Sequence, residues 1–210
     1  MGTIQVDLFT TLDGVAQAPG GPDEDREGGF PFGGWQAPMM DLGVGEAIGA
    51  GLADADALLL GRRTYDIFAA YWPGQGTTGP DGGVAELFNR VPKYVASRGT
   101  PRLGWAGSTL LGPDLAAQVR AVRDRHEDVH VIGSLNLFQT LLVERLLDRL
   151  NLWVYPVVLG TGKRVFEAGA APSTLRLVGD PQRSQSGAVL LRYELLPAGP
   201  GTGDMASRSS

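Results

Sequence analysis

Residues 58–65 have the sequence Leu58-Leu59-Leu60-Gly61-Arg62-Arg63-Thr64-Tyr65, in which an apolar run stops at a glycine and a cationic, polar segment follows. Together with Ala57, the three leucines have the pattern of a strand that is covered on both faces, so we predict a buried strand over 57–60. A helix is predicted to begin at Arg63 and to reach Tyr71. The turn at Gly61 therefore places a strand end directly before a helix start, where unpaired backbone N–H groups favour an anion.

Strand and helix patterns alternate on both sides of this segment. Short apolar runs bounded by turn residues predict strands, and apolar residues at helical spacing predict helices. Further strands are predicted over 4–9, 93–97, 108–111, 129–132 and 150–159, helices over 39–52, 84–89, 115–124 and 135–147, and a closing antiparallel pair over 175–178 and 188–196. This order predicts an α/β fold with a mainly parallel central sheet, antiparallel C-terminal edge strands and helices on both faces.

Length and composition are those of a soluble globular protein. The chain has 210 residues, of which 43% are hydrophobic and 20% are charged, and it lacks an apolar run able to span a bilayer. Its net charge of −5 argues against a broad surface for nucleic acid. The first residues show no cationic stretch followed by an apolar core, and cysteine is absent. We therefore expect a cytoplasmic protein without disulfides or thiolate-bound metal.

We expect residues 1–197 to form one domain and the small, polar, Gly-rich residues 198–210 to form a disordered tail. Inside the domain, a Gly- and Pro-rich loop follows Asp13-Gly14 and continues to about Ala37. A loop of this length is unusual in a compact domain, so it is either a functional cover over a pocket or a mobile insertion. Its acidic stretch, residues 23–27, is interpreted as a solvated face of the loop.

Three predicted strand ends carry groups suited to an anion. Gly61-Arg62-Arg63-Thr64 combines a flexible glycine with two guanidinium groups and a hydroxyl, and Ser97-Arg98 supplies another hydroxyl and guanidinium. Gly133-Ser134 connects a strand to a helix, where the backbone can approach a phosphate closely. Each segment alone also fits an ordinary turn or a solvated helix start. Together they indicate a dinucleotide site with an additional phosphate, although neither the G-x-G-x-x-G fingerprint nor the nucleoside-triphosphate loop is present.

Five segments are informative through their order along the chain: residues 11–14 (TLDG), 59–65 (LLGRRTY), 131–134 (VIGS), Asp148 and 155–166 (YPVVLGTGKRVF). This ordered set resembles the dihydrofolate reductase-like superfamily. The resemblance is closest to the reductase domain of the bifunctional riboflavin-biosynthesis deaminase/reductases and its stand-alone relatives, and it spans roughly residues 4–196. It implies a three-layer dihydrofolate reductase-like fold that binds NADPH.

The resemblance also implies which residues contact the cofactor. Ser134 replaces a glycine found in many members, which reduces backbone freedom but leaves a hydroxyl for a phosphate oxygen, and Arg149 replaces a glutamate after Asp148, which affects a local ion pair. The residues that match the phosphate-contacting turn, the adenosine 2′-phosphate site and the pyrophosphate-binding helix start are, in that order, Gly61, Arg62, Arg63 and Thr64; Ser97 and Arg98; and Gly133, Ser134, Leu135, Asn136 and Leu137.

The candidate catalytic groups are the carboxylates of Asp13 and Asp41. Folate-reducing relatives bind the pterin ring through a buried carboxylate on the first helix, and the comparable stretch here offers Asp41 or Glu46. Asp13, on the loop after the first strand, can orient the substrate or a proton-carrying water, although an Asp-Gly pair also simply shapes turns. We assign substrate binding to Gly160 and to Trp35, which can stack on a flat heterocycle or serve in packing.

The resulting hypothesis is an NADPH-dependent oxidoreductase that transfers a hydride to a small planar heterocycle, of pyrimidine or pterin type, or to a related carbonyl or imine compound. The alternative is a non-catalytic NADPH- or metabolite-binding protein of the same fold, because no carboxylate matches that of the folate-reducing relatives in register. We expect no metal site, since His126 and His130 straddle a helix end and a strand. A strong sheet edge is expected to pair two copies into a homodimer.

Overall fold

The computed structural model describes residues 2–79 and 81–204. This part of the chain forms one sheet of nine strands, flanked by α-helices. The strands are β1 (Thr3–Thr11), β2 (Ala57–Gly61), β3 (Lys93–Ala96), β4 (Ser108–Leu110), β5 (Asp128–Ile132), β6 (Arg149–Tyr155), β7 (Leu175–Leu177), β8 (Gln182–Arg183) and β9 (Val189–Leu195). The helices are α1 (Leu42–Leu52), α2 (Arg62–Tyr71), α3 (Gly82–Arg90), α4 (Leu115–Arg125) and α5 (Leu135–Val143).

β1 lies at the centre of the sheet, between β5 and β6. The strand order is β4-β3-β2-β5-β1-β6-β9-β7, and β8 also pairs with β9. The pairs formed among β1 to β6 are parallel, whereas β9 is antiparallel to β6, β7 and β8. The predicted mainly parallel sheet with antiparallel C-terminal strands is therefore confirmed. Because parallel strands end at the same edge of a sheet, the carboxyl ends of β1, β2, β3, β5 and β6 lie together.

Helices cover both faces of the sheet, as predicted. One face packs against α4 and α5 in a core that includes Val6 and Phe138. The other face packs against α1, α2 and α3 in two clusters, one around Leu58 and Phe88 and one around Trp153. Every residue of β2 is buried, so the continuous apolar run that predicted this strand does face helices on both sides.

α5 is shorter than the helix predicted over 135–147. Arg145 has a φ of 52°, in the left-handed region, and the amides of Arg145 and Leu146 donate to the carbonyls of Leu142 and Leu141 at 3.3 and 2.9 Å. These two bonds form a Schellman motif, in which glycine is the usual residue. The prediction of this helix end was wrong because the apolar spacing continues past the turn and no glycine marks it.

Several other boundaries differ from the prediction by a few residues, among them those of β1 and α3, and two of the differences have a clear physical cause. β6, predicted to continue to 159, ends at Tyr155 because Pro156 has no backbone N–H to donate to a neighbouring strand. α1 begins at Leu42 instead of 39. The Asp41 side chain accepts from the backbone N–H of Val44 at 2.8 Å and so caps the helix at this point.

Residues 14–41 form the predicted long loop, with single helical turns at Glu27–Gly29 and Ala37–Met39. Residues 198–204 are exposed and contain neither helix nor strand, while the rest of the expected tail, 205–210, lies outside the described residues. Among the helices of residues 2–79 and 81–204, none combines the length and the apolar character that crossing a bilayer requires.

Candidate active site

β2 and β5 end side by side, and the turns that follow them touch. A Cβ added to Gly61 would lie 1.8 Å from Ser134 Oγ and 2.6 Å from Ser134 Cβ, so position 61 has room for glycine alone. A Cβ added to Gly133 would lie 3.9 Å from Thr64 Oγ1, so this glycine faces the first turn of α2. The structure therefore brings together two of the three predicted anion-binding segments.

The N-termini of α2 and α5 lack side-chain caps. Gly61 and Ser134 occupy the N-cap positions, and neither forms a side-chain hydrogen bond to its helix. Aspartate side chains, in contrast, cap α1 and α4. Gly133 and Ser134 have left-handed backbones, with φ of 67° and 61°, which turn the chain sharply into α5. The first N–H groups of both helices, at 62–64 and 135–137, thus point toward one region with the positive ends of two helix dipoles.

Two of the arginines predicted to bind phosphate differ in their partners. Arg62 pairs with Asp66 one turn along α2, with Nε 2.7 Å from Oδ2. Arg98, just after β3, is exposed and forms no ion pair with the described part of the chain. Ser97 Oγ accepts from the backbone N–H of Gly99 at 3.1 Å and shapes the turn that carries Arg98. The guanidinium at the end of β3 is therefore the less compensated charge of the two.

The acidic segment, residues 23–27 of the long loop, lies against α2 instead of facing solvent alone. Glu27 binds Arg63 and also Lys163, whose Nζ is 2.8 Å from Glu27 Oε2 and 2.5 Å from Asp25 Oδ2. Lys163, and after it Arg63, lower the pKa of Glu27 to about 2. In this arrangement Arg63 is paired with carboxylates of the acidic segment. The guanidinium of Arg63, which was predicted to bind phosphate, is therefore already engaged within the protein.

A narrow cleft opens between α1 and the sheet. The wall formed by α1 is apolar, and β1, β5, β6 and β9 form the opposite wall. The backbone N–H of Gly133 donates to the carbonyl of Asp7 at 3.1 Å, so the turn that starts α5 is joined to this wall by a hydrogen bond. The sheet residues that line the cleft are Asp7, Phe9, Ile132, Asn151, Trp153, Leu190 and Arg192.

A polar network runs through the sheet at the base of this cleft. His130 Nδ1 lies 2.7 Å from Asp7 Oδ2, and His130 Nε2 lies 3.3 Å from Asp128 Oδ2. Asn151 Nδ2 donates to Asp7 Oδ1 at 2.9 Å and to Gln5 Oε1 at 3.1 Å, and Gln5 Nε2 donates to Asp128 Oδ1 at 2.5 Å. Strand register explains the cluster, because these five side chains stand on the same face of three neighbouring strands.

His130 is a fully buried imidazolium within this network. Burial alone lowers the pKa of His130, but the hydrogen bonds and charges of Asp128 and Asp7 outweigh it and raise the pKa to about 9. Burial likewise raises the pKa of Asp128, but the bond to His130 and its charge outweigh that effect and lower it. At neutral pH, His130 therefore carries a positive charge between two carboxylates, and both of its ring nitrogens donate.

The carboxylate of Asp13 is engaged by its own loops. It accepts from Thr11 Oγ1 at 2.6 Å, from the backbone N–H of Gly160 at 2.8 Å and from that of Leu159 at 3.2 Å. The Thr11 bond, together with the two backbone bonds, lowers the pKa of Asp13 to about 2 against the effect of burial. Asp13 is thus ionised and ties the loop after β1 to the loop after β6, in which Gly160 lies.

Asp41 and Trp35 lie outside the lining of the cleft. Besides capping α1 through Val44, Asp41 accepts from the backbone N–H of Ser186 at 2.8 Å, and these bonds lower its pKa. Trp35 is 8% exposed and packs edge-on against Tyr155, with ring centroids 5.6 Å apart. The structure therefore places both residues where the long loop is anchored to the body of the protein.

Sequence reasoning missed Asp7, His130 and Asn151 as site residues. A signal was present in β1, since Gln5 and Asp7 are polar residues two apart within the otherwise apolar stretch 4–9 and must face the same side of the sheet. Their partner was harder to find, because His130 is 123 residues from Asp7 along the chain.

The model of the RibD C-terminal domain family matches residues 2–186. The chain belongs to this family. A relative, the uncharacterized protein YyaP of Bacillus subtilis (strain 168), is 25% identical over 191 residues, and the alignment covers 90% of this chain and 93% of that protein. Family membership confirms the resemblance to the reductase domain of the riboflavin-biosynthesis proteins.

Solved structures share the fold of this RibD C-terminal domain. A putative riboflavin biosynthesis protein from Shewanella sp. PV-4 aligns with a TM-score of 0.64 at 17% identity, over 92% of this chain and 99% of that one. A pyrimidine reductase-like protein from Corynebacterium diphtheriae aligns at 0.59 and 14% identity, over 94% and 93%. Dihydrofolate reductase from Enterococcus faecalis, solved with NADP(H), aligns at 0.56 and 15% identity, over 92% and 96%. The dihydrofolate reductase-like fold is thus confirmed.

Proposed function

We propose that this RibD C-terminal domain protein is an NADPH-dependent reductase that delivers a hydride to a small planar heterocycle or to a related carbonyl or imine compound. The observation that carries the proposal is the meeting of two uncapped helix N-termini at Gly61 and Ser134, beside the cleft. Family membership, and the NADP(H) complex of the Enterococcus reductase, support the same cofactor.

The chain has groups suited to both phosphate sites of NADPH. The N–H groups at the starts of α2 and α5 would hold the pyrophosphate, with the Thr64 and Ser134 hydroxyls close by. Arg98 and Ser97, at the end of β3, would hold the 2′-phosphate by charge-assisted hydrogen bonds. Arg63 would join them once it releases Glu27. The full set of proposed cofactor contacts is Gly61, Arg62, Arg63, Thr64, Ser97, Arg98, Gly133, Ser134, Leu135, Asn136 and Leu137.

Bound NADPH would supply the hydride, and the residues of the chain would align and shield the reacting groups. Phe9, Ile132 and Trp153 give the cleft apolar walls that suit a flat ring and exclude water. The hydroxyl of Thr11 and backbone donors lower the pKa of Asp13, and backbone donors lower that of Asp41, so we assign both residues to fixing the loops around the cleft. Substrate contact by Trp35 and Gly160 stays a prediction, as does pairing of two copies along the sheet edges formed by β4 and β7.

The variant Gly61→Ala tests the cofactor site. Its added Cβ collides with Ser134 and pushes the two helix starts apart, so we expect NADPH affinity to fall by about tenfold or more. Gly61→Ala/Ser134→Gly removes the colliding atoms and should regain most of the affinity. The measurement is a fluorescence titration of each purified protein with NADPH and with NADH. Equal NADPH affinity in all three proteins, or no binding by the wild type at millimolar NADPH, would contradict the proposal.

Binding without turnover is the second candidate function. It is favoured by the engagement of Asp13 and Asp41 in structural hydrogen bonds, which leaves neither free to deliver a proton. Under this alternative, the wild type binds NADPH but does not oxidise it with pterin, pyrimidine or quinone substrates. Steady NADPH oxidation with any one of these substrates would reject it.

A further inference from the structure

The carboxylate that faces the cleft belongs to Asp7, and the buried side chain of His130 forms a hydrogen bond with it. His130 stands between Asp7 and Asp128, with a ring nitrogen directed at each carboxylate. Asp7 lines the cleft, whereas His130 is completely buried and does not reach it. His130 therefore acts on a ligand in the cleft through the residues that it binds, of which Asp7 lines the cleft directly.

His130 and Asn151 both direct donors at the carboxylate of Asp7. His130 Nδ1 lies 2.7 Å from Asp7 Oδ2, and Asn151 Nδ2 donates to Asp7 Oδ1 at 2.9 Å. Carboxylate oxygens that receive such bonds act as acceptors. The bonds from His130 and Asn151 thus orient Asp7 as an acceptor.

Asn151 offers a second hydrogen-bond acceptor in the wall of the cleft, beside Asp7. Both hydrogens of its amide are used, one by Asp7 and one by Gln5, so its carbonyl oxygen is the group it can offer to a ligand. Asp7 accepts one bond at each carboxylate oxygen from the network and keeps further lone pairs. Two neighbouring side chains of the wall therefore present acceptors, and a ligand that pairs with them must bring donors.

Other charges near this wall are few. Arg192 lines the cleft from β9, and Arg149 acts on Asp128 from the neighbouring strand β6. α1 covers the cleft with Ala47, Ile48, Gly51 and Leu52, which carry no charge.

We propose that Asp7 and Asn151 form an acceptor edge that recognises N–H donors of the substrate, and that His130 is the positioning residue that orients the Asp7 carboxylate in this edge. The inference rests on the proposed function and narrows its substrate class. Heterocycles that carry an amino group or a protonated ring nitrogen match the edge, whereas quinones, which present only carbonyl acceptors, do not.

Nuclear magnetic resonance can test the acceptor edge directly, because the chain contains two histidines. The probe is 2-aminopyrimidine, and 2-methylpyrimidine is the matched probe without N–H donors. We expect 2-aminopyrimidine to shift the imidazole signals of His130 in a saturable way and to leave those of His126 unchanged, while 2-methylpyrimidine gives a much weaker response. Equal shifts of His130 with both probes, or none with either, would overturn the proposal.

Three variants separate the charge of Asp7 from its shape. Asp7→Asn retains the size of the side chain but loses the charged acceptor, so affinity for 2-aminopyrimidine should fall about tenfold. Glu86→Gln, which neutralises an exposed carboxylate on α3, should not change it. His130→Asn should weaken the binding of 2-aminopyrimidine and leave that of 2-methylpyrimidine unchanged, because only the first probe pairs with the oriented Asp7 carboxylate. A buried residue that only fills space would weaken the binding of both probes alike.

NADPH titration distinguishes failure of this inference from failure of the proposed function. Retained NADPH binding in Asp7→Asn together with unchanged 2-aminopyrimidine affinity would reject the acceptor edge alone. Absence of NADPH binding by the wild type would reject the cofactor site, whatever the probes do. If His130→Asn does not fold, the Asp7→Asn titration and the wild-type histidine signals still decide the question.

Discussion

Lys93 begins β3 with its side chain fully buried. Its ammonium donates to the carbonyls of Asn89 and Ala106, both at 3.1 Å, and lies 4.4 Å from the ring centroid of Trp105. Burial lowers the pKa of Lys93 from 10.5 to about 8, and no carboxylate of residues 2–79 or 81–204 pairs with the ammonium to offset this effect. The unfolded chain therefore binds more protons than the folded chain between these two pH values.

This difference predicts the pH dependence of stability. Because the unfolded state binds the extra proton, the free energy of unfolding should rise with pH from about 8 to about 10.5, and the cost of the buried charge should be largest below this window. Lys93→Met removes the titrating group, so the free energy of unfolding of the wild type minus that of Lys93→Met should increase across the window by about 3 kcal/mol. Urea unfolding of both proteins at several pH values measures this difference in the free energy of unfolding. Arg90→Met, which removes an exposed cation, should show no such change relative to the wild type, and a flat difference for Lys93→Met would contradict the prediction.

At the scale of residues, the sequence was informative where all parts of a pattern are adjacent in one segment. Gly61-Arg62-Arg63-Thr64 was identified because a glycine, a strand end and a helix start are adjacent in the chain, and the structure places them at the predicted point. Asp7 was missed because its importance depends on His130, which becomes its neighbour only when β1 pairs with β5. Side chains that act through distant strand partners carry no local signature.

Among the elements, the long loop has the clearest electrostatic attachment. Its acidic segment, residues 23–27, binds Arg63 at the start of α2 and Lys163 in the loop after β6. A phosphate bound near α2 would compete with Glu27 for Arg63. The sequence did not decide whether this loop is a functional cover over a pocket or a mobile insertion. The pairing of the acidic segment with Arg63 favours the cover.

Removing one charge from this attachment should strengthen cofactor binding. Glu27→Gln frees Arg63 and Lys163 from a competing carboxylate, so we expect NADPH affinity to rise by about two- to fivefold, in line with exposed ion pairs, and the gain to shrink in high salt. Fluorescence titration at two salt concentrations measures it. Asp23→Asn is the matched control, because Asp23 pairs only with Arg26 among the described residues. Weaker NADPH binding by Glu27→Gln would mean that Glu27 orders the site instead of competing for it.

For the whole molecule, the strand order makes the C-terminal strands essential. β9 lies between β6 and β7, whereas residues 198–204 are exposed and join no strand. Because the described part of the predicted tail lies outside the sheet, deleting 198–210 should change the melting temperature by less than about 2 °C. Deleting 188–210 should abolish the cooperative thermal transition. Circular dichroism melts measure both, and a large loss of stability in the shorter deletion would contradict the expected tail.

The global architecture was predictable because alternating strands and helices restrict a chain to few topologies. The end of α5 was not, since Arg145 takes a backbone conformation that glycine usually marks. β8, with two residues, is too short to leave a pattern. The cleft itself follows from the three-dimensional path of α1 over β1 and β6, which no stretch of sequence specifies alone.

The position of β9 also has a consequence for synthesis. Residues 189–195 must leave the ribosome before β6 receives its second neighbour. Until then, a nascent chain has most of its sheet but displays an unpaired strand at its side, and neighbouring chains on the same messenger carry the same unpaired strand. A chaperone that shields strand edges would matter most during this interval of translation.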